Sequence, residues 1–579
     1  MKNPVAYQNK DIISKVFGES MRNKSFRAYG MDIPEIVEIL PTNLPAVEAN
    51  EMRLDNLFRL KDGTIVIVDY ESTYSYADKI KYLNYVARTT KRYGLSEKQN
   101  QPVRMIVIYT GSIRRGKNVL LFSISGFVPK ILSIILIPLY TGYLTTAEYG
   151  ISDLITTTVS LLIPIFTLDI QDAVMRFALD KNYNKKDVFS IATRIILIGT
   201  VLICFGTVIV SLLNISGIEN SYLFFFVVMY FSTAVYNTVS LFCRGIDKVS
   251  TMVVGSIINS VVSLFANILF LTVFNWGLNG YLLASSLGSV IALVWCFISA
   301  KLYRYWKINI PKNVYKDMIA FSFPLIFSVI AWWINNASDR YVLTWMSGVA
   351  MSGLYAVSYK IPNILSMFQN IFAQAWSISA VKEFDKNDKD RFMSNTYNMI
   401  NFGMTALCSC IMIMNIPIAK ILYSNEFFEA WKYVPPLLLS VVFNAMALFI
   451  GSIFTAVKDT KTLSLSTVIG AVVNTVCNFI FIYLWGAYGA ALATMLGYAV
   501  VLGMRHIILR KHIILHLSCV RDMSVYSILL IQMLLSCWGV KTLLLQVIPF
   551  GIILFLFRKE FVFILKMFES KKENKKNSF

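Results

Sequence analysis

Long apolar runs dominate the chain from Asn118 onward. The first, Asn118 to Thr141, is interrupted by a single charge, Lys130. A helix of that length crosses about 30 Å of hydrocarbon. A short loop without Lys or Arg follows, then a second apolar run from Ile151 to Leu168 and a basic loop. The pattern predicts a transmembrane helical hairpin.

The same unit repeats almost to the end of the sequence. Twelve further apolar runs bring the predicted number of spans to about fourteen, and they lie at 188–212, 220–243, 250–274, 279–300, 317–337, 354–380, 395–419, 433–457, 462–484, 488–504, 523–540 and 542–557. With 56% hydrophobic and 15% charged residues, the composition excludes an ordinary soluble protein of this size. The fold class predicted is an all-α polytopic membrane protein.

The basic residues predict the orientation. If the N-terminus is cytoplasmic, the loops on that side hold most of the Lys and Arg, with Arg505 among them, whereas few lie in the outer loops, with Arg340 among those. Positive charge is concentrated in cytoplasmic loops, so both termini are predicted to be cytoplasmic. Topology therefore explains most of the net charge of +20, and nucleic-acid binding is not expected of the membrane part.

Three short motifs recur at nearly one spacing. Tyr149-Gly150-Ile151-Ser152 returns as Tyr355-Ala356-Val357-Ser358, Trp276-Gly277 as Trp485-Gly486, and Asn267 as Asn478. Such a repeat predicts two six-helix lobes of the same orientation. We define them as the N-lobe, residues 118–303, and the C-lobe, residues 313–510. Two extra helices in 523–560 and a basic tail, 561–579, are predicted outside the repeat.

Residues 1–113 carry no apolar span and predict a small α/β domain. Two strand patterns flank Lys61-Asp62-Gly63, a hairpin signal, and this pairing would place Asp55, Asp69 and Glu71 on one sheet face. Three carboxylates on one face suit a divalent metal. The basic junction 114–117 follows; the nearby Gly111 to Asn118 stretch lacks the hydroxyl that a phosphate-binding loop needs, so ATP binding is not predicted.

The stretch LDNLFRLKDGTIVIVDYES resembles the PD-(D/E)xK nucleases, in particular the transposase-like, recombination-promoting ones. The resemblance puts Asp55 at the first acidic position and Asp69 at the second. Glu71 stands where the family has Lys, and the domain stops early. The resemblance therefore implies a truncated nuclease-like segment with a vestigial metal site and no activity.

Charged residues within the spans are the candidates for transport, because burying a charge in hydrocarbon is expensive. They are Lys130, Arg176, Asp339, Arg340 and Lys360. Asp153 lies near a loop and is expected to cap its helix or to pair nearby. Lys130 and Lys360 lie in the first helix pair of each lobe, where they could face a cavity between the lobes and bind an anion such as pyrophosphate. Interfacial anchoring is the alternative for Arg176 and for Asp339 and Arg340, which are predicted to follow the seventh span. No metal or cofactor is predicted for the transporter part.

The opening KNVLLFSISGFVPKILSIILIPLYTGYLTTAEYG, the following LDIQDAVMRFALD and the fourteen spans resemble the Wzx-type flippases of the multidrug/oligosaccharidyl-lipid/polysaccharide (MOP) exporter superfamily. The resemblance implies alternating access in a bacterial cytoplasmic membrane, with an undecaprenyl-pyrophosphate-linked oligosaccharide as substrate. It also implies an H⁺ or Na⁺ gradient as the driving force and polysaccharide polymerase machinery as a partner. A MATE-like multidrug/cation antiporter and a membrane-tethered nuclease-like protein are the alternatives.

Overall fold

The computed structural model has two compact units, Met1–Ile124 and Ser125–Phe579, which we describe separately. The residues it describes are 36–40, 43–44, 52–53, 56–71, 78–90, 93, 95–96, 99–100, 102–109, 129–180, 182–213, 219–382 and 384–562. The basic junction 114–117 and most of the tail, 563–579, lie outside them, and so does Asp55.

The first unit contains a four-stranded sheet. Its strands have the spatial order β1-β4-β5-β8, antiparallel except for the parallel β5–β8 pair, and two short two-stranded ladders accompany it. The strands are β1 (Ile36–Leu40), β2 (Asn43–Leu44), β3 (Met52–Arg53), β4 (Asn56–Leu60), β5 (Ile65–Glu71), β6 (Leu95–Ser96), β7 (Gln99–Asn100) and β8 (Val103–Tyr109). Helix α1 (Asp78–Thr89) connects β5 to β8, as parallel strands require.

The hairpin predicted between β4 and β5 is confirmed. Asn56 pairs with Val68 and Arg59 with Ile65, and Gly63 takes a φ of +84° in the connecting turn. Glycine suits this position because it has no Cβ to strain a left-handed backbone. Leu57, Ile65, Ile67 and Tyr85 of α1 form a small core on the helix-facing side of the sheet.

The second unit consists of helices throughout its described residues. They are a helical stretch over 129–135, then α2 (Ile137–Tyr143), α3 (Thr146–Phe166), α4 (Ile170–Leu179), α5 (Lys185–Leu212), α6 (Asn220–Gly245), α7 (Val249–Ile268), α8 (Gly277–Ser299), α9 (Lys312–Ser347), α10 (Val349–Ser358), α11 (Lys360–Lys382), α12 (Phe392–Leu422), α13 (Val434–Ala456), α14 (Thr460–Trp485), α15 (Ala487–Leu509), α16 (Cys519–Ser536) and α17 (Val547–Leu556). A π-helical turn, Leu269–Val273, extends α7.

Eleven helices of the described residues are long and apolar enough to cross a membrane. The three other predicted spans correspond to shorter or broken helices: 129–135 with α2, α10 with α11, and α17. The chain is therefore a multi-pass membrane protein with an all-α polytopic fold, as predicted.

Of the helix ends that differ from the predicted spans, two place a charge from a predicted loop at a buried or paired position inside a helix. Helix α9 continues through the predicted outer loop to Ser347, so Asp339 and Arg340 lie inside a helix. Helix α15 continues to Leu509, so Arg505 is a buried helical residue and not a loop cation. In both cases a hydropathy window ended the span at a charge whose partners come from other helices. Tyr149 and Gly150, which precede the apolar run predicted from Ile151, lie in the first turns of α3.

Candidate functional site

One face of α3 carries polar groups to the contact between the lobes. The helix begins with a capping box in which the Thr145 hydroxyl accepts from the Glu148 amide, while the Thr145 amide donates to Oε2 of Glu148 at 2.8 Å. Tyr149 and Asp153 follow at a spacing of four residues, so they share the face that the start of the helix orients.

Arg340 of α9 reaches this face across the lobe boundary. Its Nη1 donates to Asp153 Oδ2 at 2.9 Å and to Oδ1 at 3.0 Å, and it lies 3.3 Å from the Thr157 hydroxyl. The side chains of Arg340 and Asp153 are 20% and 18% exposed, so the ion pair is largely removed from solvent. In this structure Arg340 therefore forms an ion pair with another helix, where interfacial anchoring was the alternative considered.

Asp339, beside Arg340 in sequence, faces its own lobe. Its Oδ2 accepts from the hydroxyls of Tyr355, at 2.8 Å, and Tyr359, at 3.0 Å, and its Oδ1 accepts from the Arg340 amide. The Arg340 guanidinium lies 5.4 Å from the centre of the Tyr359 ring, within cation–π range. We call Asp153, Asp339, Arg340, Tyr355 and Tyr359 the Arg340 cluster.

Two glycines let α3 and α10 approach closely beside the Arg340 cluster. A Cβ on Gly150 would collide with the Val349 carbonyl, and a Cβ on Gly353 would collide with the Thr146 carbonyl. Gly348 makes the turn from α9 into α10 with a φ of +87°, a conformation that favours glycine. These glycines thus allow the backbone to place both Tyr355 and Asp339 at the boundary between the lobes.

Lys360, a predicted site residue, lies next to this cluster. Helix geometry breaks at Tyr359, and Lys360 begins α11 with its Nζ 6.0 Å from the centre of the Tyr149 ring. Within the described part of the chain Lys360 has no ion-pair partner. It is half-buried, so it presents a positive charge at the boundary between the lobes.

Lys130 and Arg176 are not brought to the cluster. Lys130 is exposed in the first helical stretch, and within the described ranges it forms no ion pair. Arg176 lies on α4 with its side chain 60% exposed and is 3.8 Å from Asp180 one turn later. Their proposed roles in substrate binding stay predictions.

The acidic site predicted in the first unit is described in part. Asp69 is buried in β5, and Lys81 of α1 donates to its Oδ2 at 2.8 Å. Glu71 ends the same strand, and Asp55 is outside the described residues. The described residues contain no group of three His, Cys, Asp or Glu that could hold a metal.

Sequence reasoning missed the partners within the Arg340 cluster. Asp153 was expected to cap its helix or pair locally, and the two tyrosines were not considered. A signal for them existed: Tyr149 and Asp153 precede Tyr355 and Tyr359 by the same 206 residues. Residue pairs that recur with the same spacing in both lobes are therefore candidates for positions that meet where the two lobes contact each other.

Comparison with known families covers most of this second unit. A family model described as "Polysaccharide biosynthesis protein" matches residues 116–378, and one described as MatE matches residues 324–480. A solved structure of the lipid II flippase MurJ in an inward closed conformation superposes with a TM-score of 0.58 at 15% identity, covering 77% of this chain and 99% of that one. The second unit therefore has the fold of that flippase.

Two further proteins are similar to this chain. An inward-facing multidrug resistance MATE transporter of the MOP superfamily superposes with a TM-score of 0.54 at 14% identity, covering 68% of this chain and 97% of that one. The probable low-salt glycan biosynthesis flippase Agl15 of Haloferax volcanii is 22% identical over 237 residues, 39% of this chain. The chain spans about half the length of that curated relative. The structural likenesses show the fold of the second unit, while its substrate must be argued from its own residues.

Proposed function

We propose that the chain is a Wzx-type flippase that moves an undecaprenyl-pyrophosphate-linked oligosaccharide across the bacterial cytoplasmic membrane. The match to a polysaccharide biosynthesis family and the similarity to two flippases, one probable for glycan biosynthesis and one for lipid II, support this class of substrate. The observation that carries the proposal is the pair of cations, Arg340 and Lys360, at the junction of the lobes.

Lys360 is the first contact for the pyrophosphate in this proposal. Arg340 is already paired with Asp153, whereas the neighbour described for the Lys360 ammonium is an aromatic ring. A phosphate oxygen offers Lys360 a charge-assisted hydrogen bond, which is stronger than a neutral one. Lys130 of the N-lobe and Arg176 are proposed to meet the same anion at other stages of transport, and Asp339 to keep Arg340 in place.

The energy source and the surroundings are proposed on the sequence pattern. An H⁺ or Na⁺ gradient drives the cycle, and both termini are cytoplasmic because the basic loops lie on that side. Polysaccharide polymerase machinery receives the product. The first unit is proposed to be a nuclease-like remnant without catalytic activity, since Glu71 replaces the expected Lys and Lys81 pairs with Asp69.

A cation antiporter is the second candidate, and one observation favours it. The junction contains two carboxylates, Asp153 and Asp339, and the MatE model covers the region around Asp339. In an antiporter for cations, removing an acidic side chain abolishes transport and removing Lys360 does not. The two candidates therefore predict opposite rankings of the same substitutions.

The test is to delete the gene and quantify lipid-pyrophosphate-linked oligosaccharide on the cytoplasmic face of the membrane. We expect accumulation that residues 117–579 relieve, and about tenfold weaker relief by Lys360→Ala, since a hydrogen bond to a charged group contributes about 1.5–3 kcal/mol. Lys360→Arg keeps the charge and retains part of the activity. Lys432→Ala, which removes an exposed lysine paired with Glu429, is the matched control.

Three results decide against parts of the proposal. Equal relief by Lys360→Ala and the control removes Lys360 from the site. Absence of accumulation, in cells that make surface polysaccharide through no redundant exporter, favours the antiporter. Cleavage of DNA by residues 1–117 with Mg²⁺ shows that the first unit is an active nuclease.

A further inference from the structure

Arg340 uses little of its hydrogen-bonding capacity in this conformation. The hydrogen bonds of its side chain to Asp153 and Thr157 all come from Nη1. Its Nε is buried and has no hydrogen-bond partner among the residues that the structure describes. An arginine carries five N–H donors in a planar fork that matches carboxylate and phosphate groups. The guanidinium therefore has donors left for a second anion.

The ion pair between Arg340 and Asp153 also joins the two lobes. Among the residues described, it is the one ion pair that joins the N-lobe to the C-lobe. Its neighbours across the same boundary are neutral: Tyr341 and Thr158 share a hydrogen bond of 2.6 Å, and the Trp333 indole donates to the Thr157 carbonyl at 3.0 Å. An anion that draws Arg340 away removes the charged part of this contact.

A second carboxylate, Asp339, lies beside Arg340 within the C-lobe and accepts from the Arg340 backbone amide. Asp339 is 4% exposed and fixed by two tyrosine hydroxyls, and the Tyr359 ring lies against the guanidinium. Leaving a buried charge without partners is strongly destabilising. Asp339 and Tyr359 therefore allow Arg340 to release Asp153 without losing all of its stabilising surroundings.

We infer that Asp153 and the diphosphate headgroup of the substrate compete for Arg340, so that headgroup binding breaks the ionic bond that holds the lobes together at this end. The inference rests on the proposed function, because it takes its anion from there. It assigns Asp153 as a positioning residue that couples substrate binding to lobe opening. Without substrate the bond keeps the α3–α10 contact closed, and with a diphosphate at Lys360 and Arg340 that contact opens.

Thr146 provides a reporter for opening at a distance from the ion pair. It is 9% exposed at the start of α3, and its hydroxyl donates to Glu426 of the C-lobe at 3.2 Å. A Thr146→Cys variant, in an active background whose eight native cysteines are replaced, is labelled by a water-soluble thiol reagent only when this contact opens. The labelling rate is measured in nanodiscs with and without farnesyl diphosphate as the probe.

Asp153→Asn is the decisive variant. We expect it to raise the labelling rate without diphosphate by about fivefold or more, the scale of a typical coupling between sites. Farnesyl diphosphate raises the rate in the parent and adds little in Asp153→Asn. Asp153→Glu keeps the carboxylate and labels slowly, and Asp172→Asn, which removes an exposed carboxylate of the same lobe, labels like the parent. Unchanged melting temperatures show that the variants are folded.

The outcomes separate this inference from the proposed function. If farnesyl diphosphate accelerates labelling of the parent while Asp153→Asn labels like Asp172→Asn, the anion site stands and the competition is wrong. If calorimetry detects no binding of farnesyl diphosphate to the parent, the anion site fails, and the inference fails with it. Fast labelling of Asp153→Glu also overturns the inference, because the carboxylate is then not what closes the lobes.

Discussion

The two lobes share a backbone plan but differ in the charges they place on it. Lys248 and Asp459 are 211 residues apart, and each precedes the corresponding helix, α7 or α14. The residues before them, Asp247 and Lys458, both take a left-handed backbone, with φ of 63° and 61°. The geometry of the turn is therefore repeated while the sign of each charge is reversed.

The same contrast appears at the junction of the lobes. Tyr149 and Asp153 on α3 correspond to Tyr355 on α10 and to Tyr359 directly after it, so a carboxylate in one lobe is a phenol in the other. Arg340 lies between these positions, bonded to Asp153 and against the Tyr359 ring. The difference teaches that the repeat supplies the scaffold, and that departures from the repeat supply the polar chemistry.

A third departure concerns how each lobe is held together. Arg505 of α15 is 5% exposed and donates to the Ala447 carbonyl at 2.7 Å and to the hydroxyls of Ser466 and Thr467. The corresponding N-lobe position is Cys296, a fully buried thiol. The C-lobe thus ties three helices together with a charged side chain where the N-lobe uses apolar packing.

The largest effect is expected from breaking the close contact between the lobes. In Gly353→Val the new side chain collides with the Thr146 carbonyl and with the Gly150 amide, 2.7 Å from a Cβ. These are backbone atoms that cannot rotate away, so the cost exceeds the roughly 1–3 kcal/mol typical of overpacking. We expect loss of glycan export in the deletion strain and fast labelling of Thr146→Cys.

Gly142→Ala is the control for that substitution. It lies on α2, near the same end of the lobes, and a Cβ there meets nothing within 4 Å. Export at the normal level is expected. If Gly353→Val also exports normally, the α3–α10 contact is not needed for transport, and the comparison of the lobes loses its functional meaning.

Much of the architecture follows from sequence, for a physical reason. A membrane requires about 20 apolar residues for each spanning helix, so the apolar runs and their repeat can be recognised in the sequence. Basic loops such as the one that joins α4 to α5 can be recognised as well. The turn at Trp276-Gly277 can also be recognised, because the motif recurs as Trp485-Gly486. In the structure both glycines have a positive φ.

The site was less visible because its partners are distant in sequence. Asp153 and Arg340 are 187 residues apart, and a pattern along one helix cannot show which other helix it faces. Arg340 and Arg505 were assigned to loops because hydropathy treats any charge as a helix end. Their acceptors lie on other helices, so only the packing shows that these charges are buried and paired.

A smaller effect is expected from removing Arg505, which sharpens the comparison of the lobes. Arg505→Ala leaves the Ala447 carbonyl and two hydroxyls without their donor, so the free energy of unfolding in mixed micelles falls by about 3 kcal/mol. Cys296→Ala removes only a thiol and costs about 1 kcal/mol. Equal losses in the two variants would contradict the distinct ways in which we describe the lobes as held together.

The smallest effect concerns the two turn residues with opposite charges. Asp459 caps α14 by accepting from the Thr462 amide at 3.0 Å and hydroxyl at 2.6 Å, and it lies 3.0 Å from His512. These hydrogen bonds, led by that of the Thr462 side chain, lower the pKa of Asp459 below its ordinary value. Lys248 instead donates to the Ala300 carbonyl at 2.8 Å. One turn therefore depends on a carboxylate, and the other on an ammonium.

The two turns should consequently respond differently to pH. Because its folded pKa is depressed, Asp459 stabilises the protein above the ordinary carboxyl pKa, and this contribution disappears as the pH falls through the lower, folded value. The melting temperature of Asp459→Asn should lie below that of the parent at neutral pH and converge with it toward about pH 3. Lys248→Met should differ from the parent by a constant amount over that range, because the substitution removes no carboxylate. If the melting temperature of Asp459→Asn also differed from that of the parent by a constant amount, the capping carboxylate would contribute no charge-dependent stability. The opposite charges of the two turns would then be interchangeable.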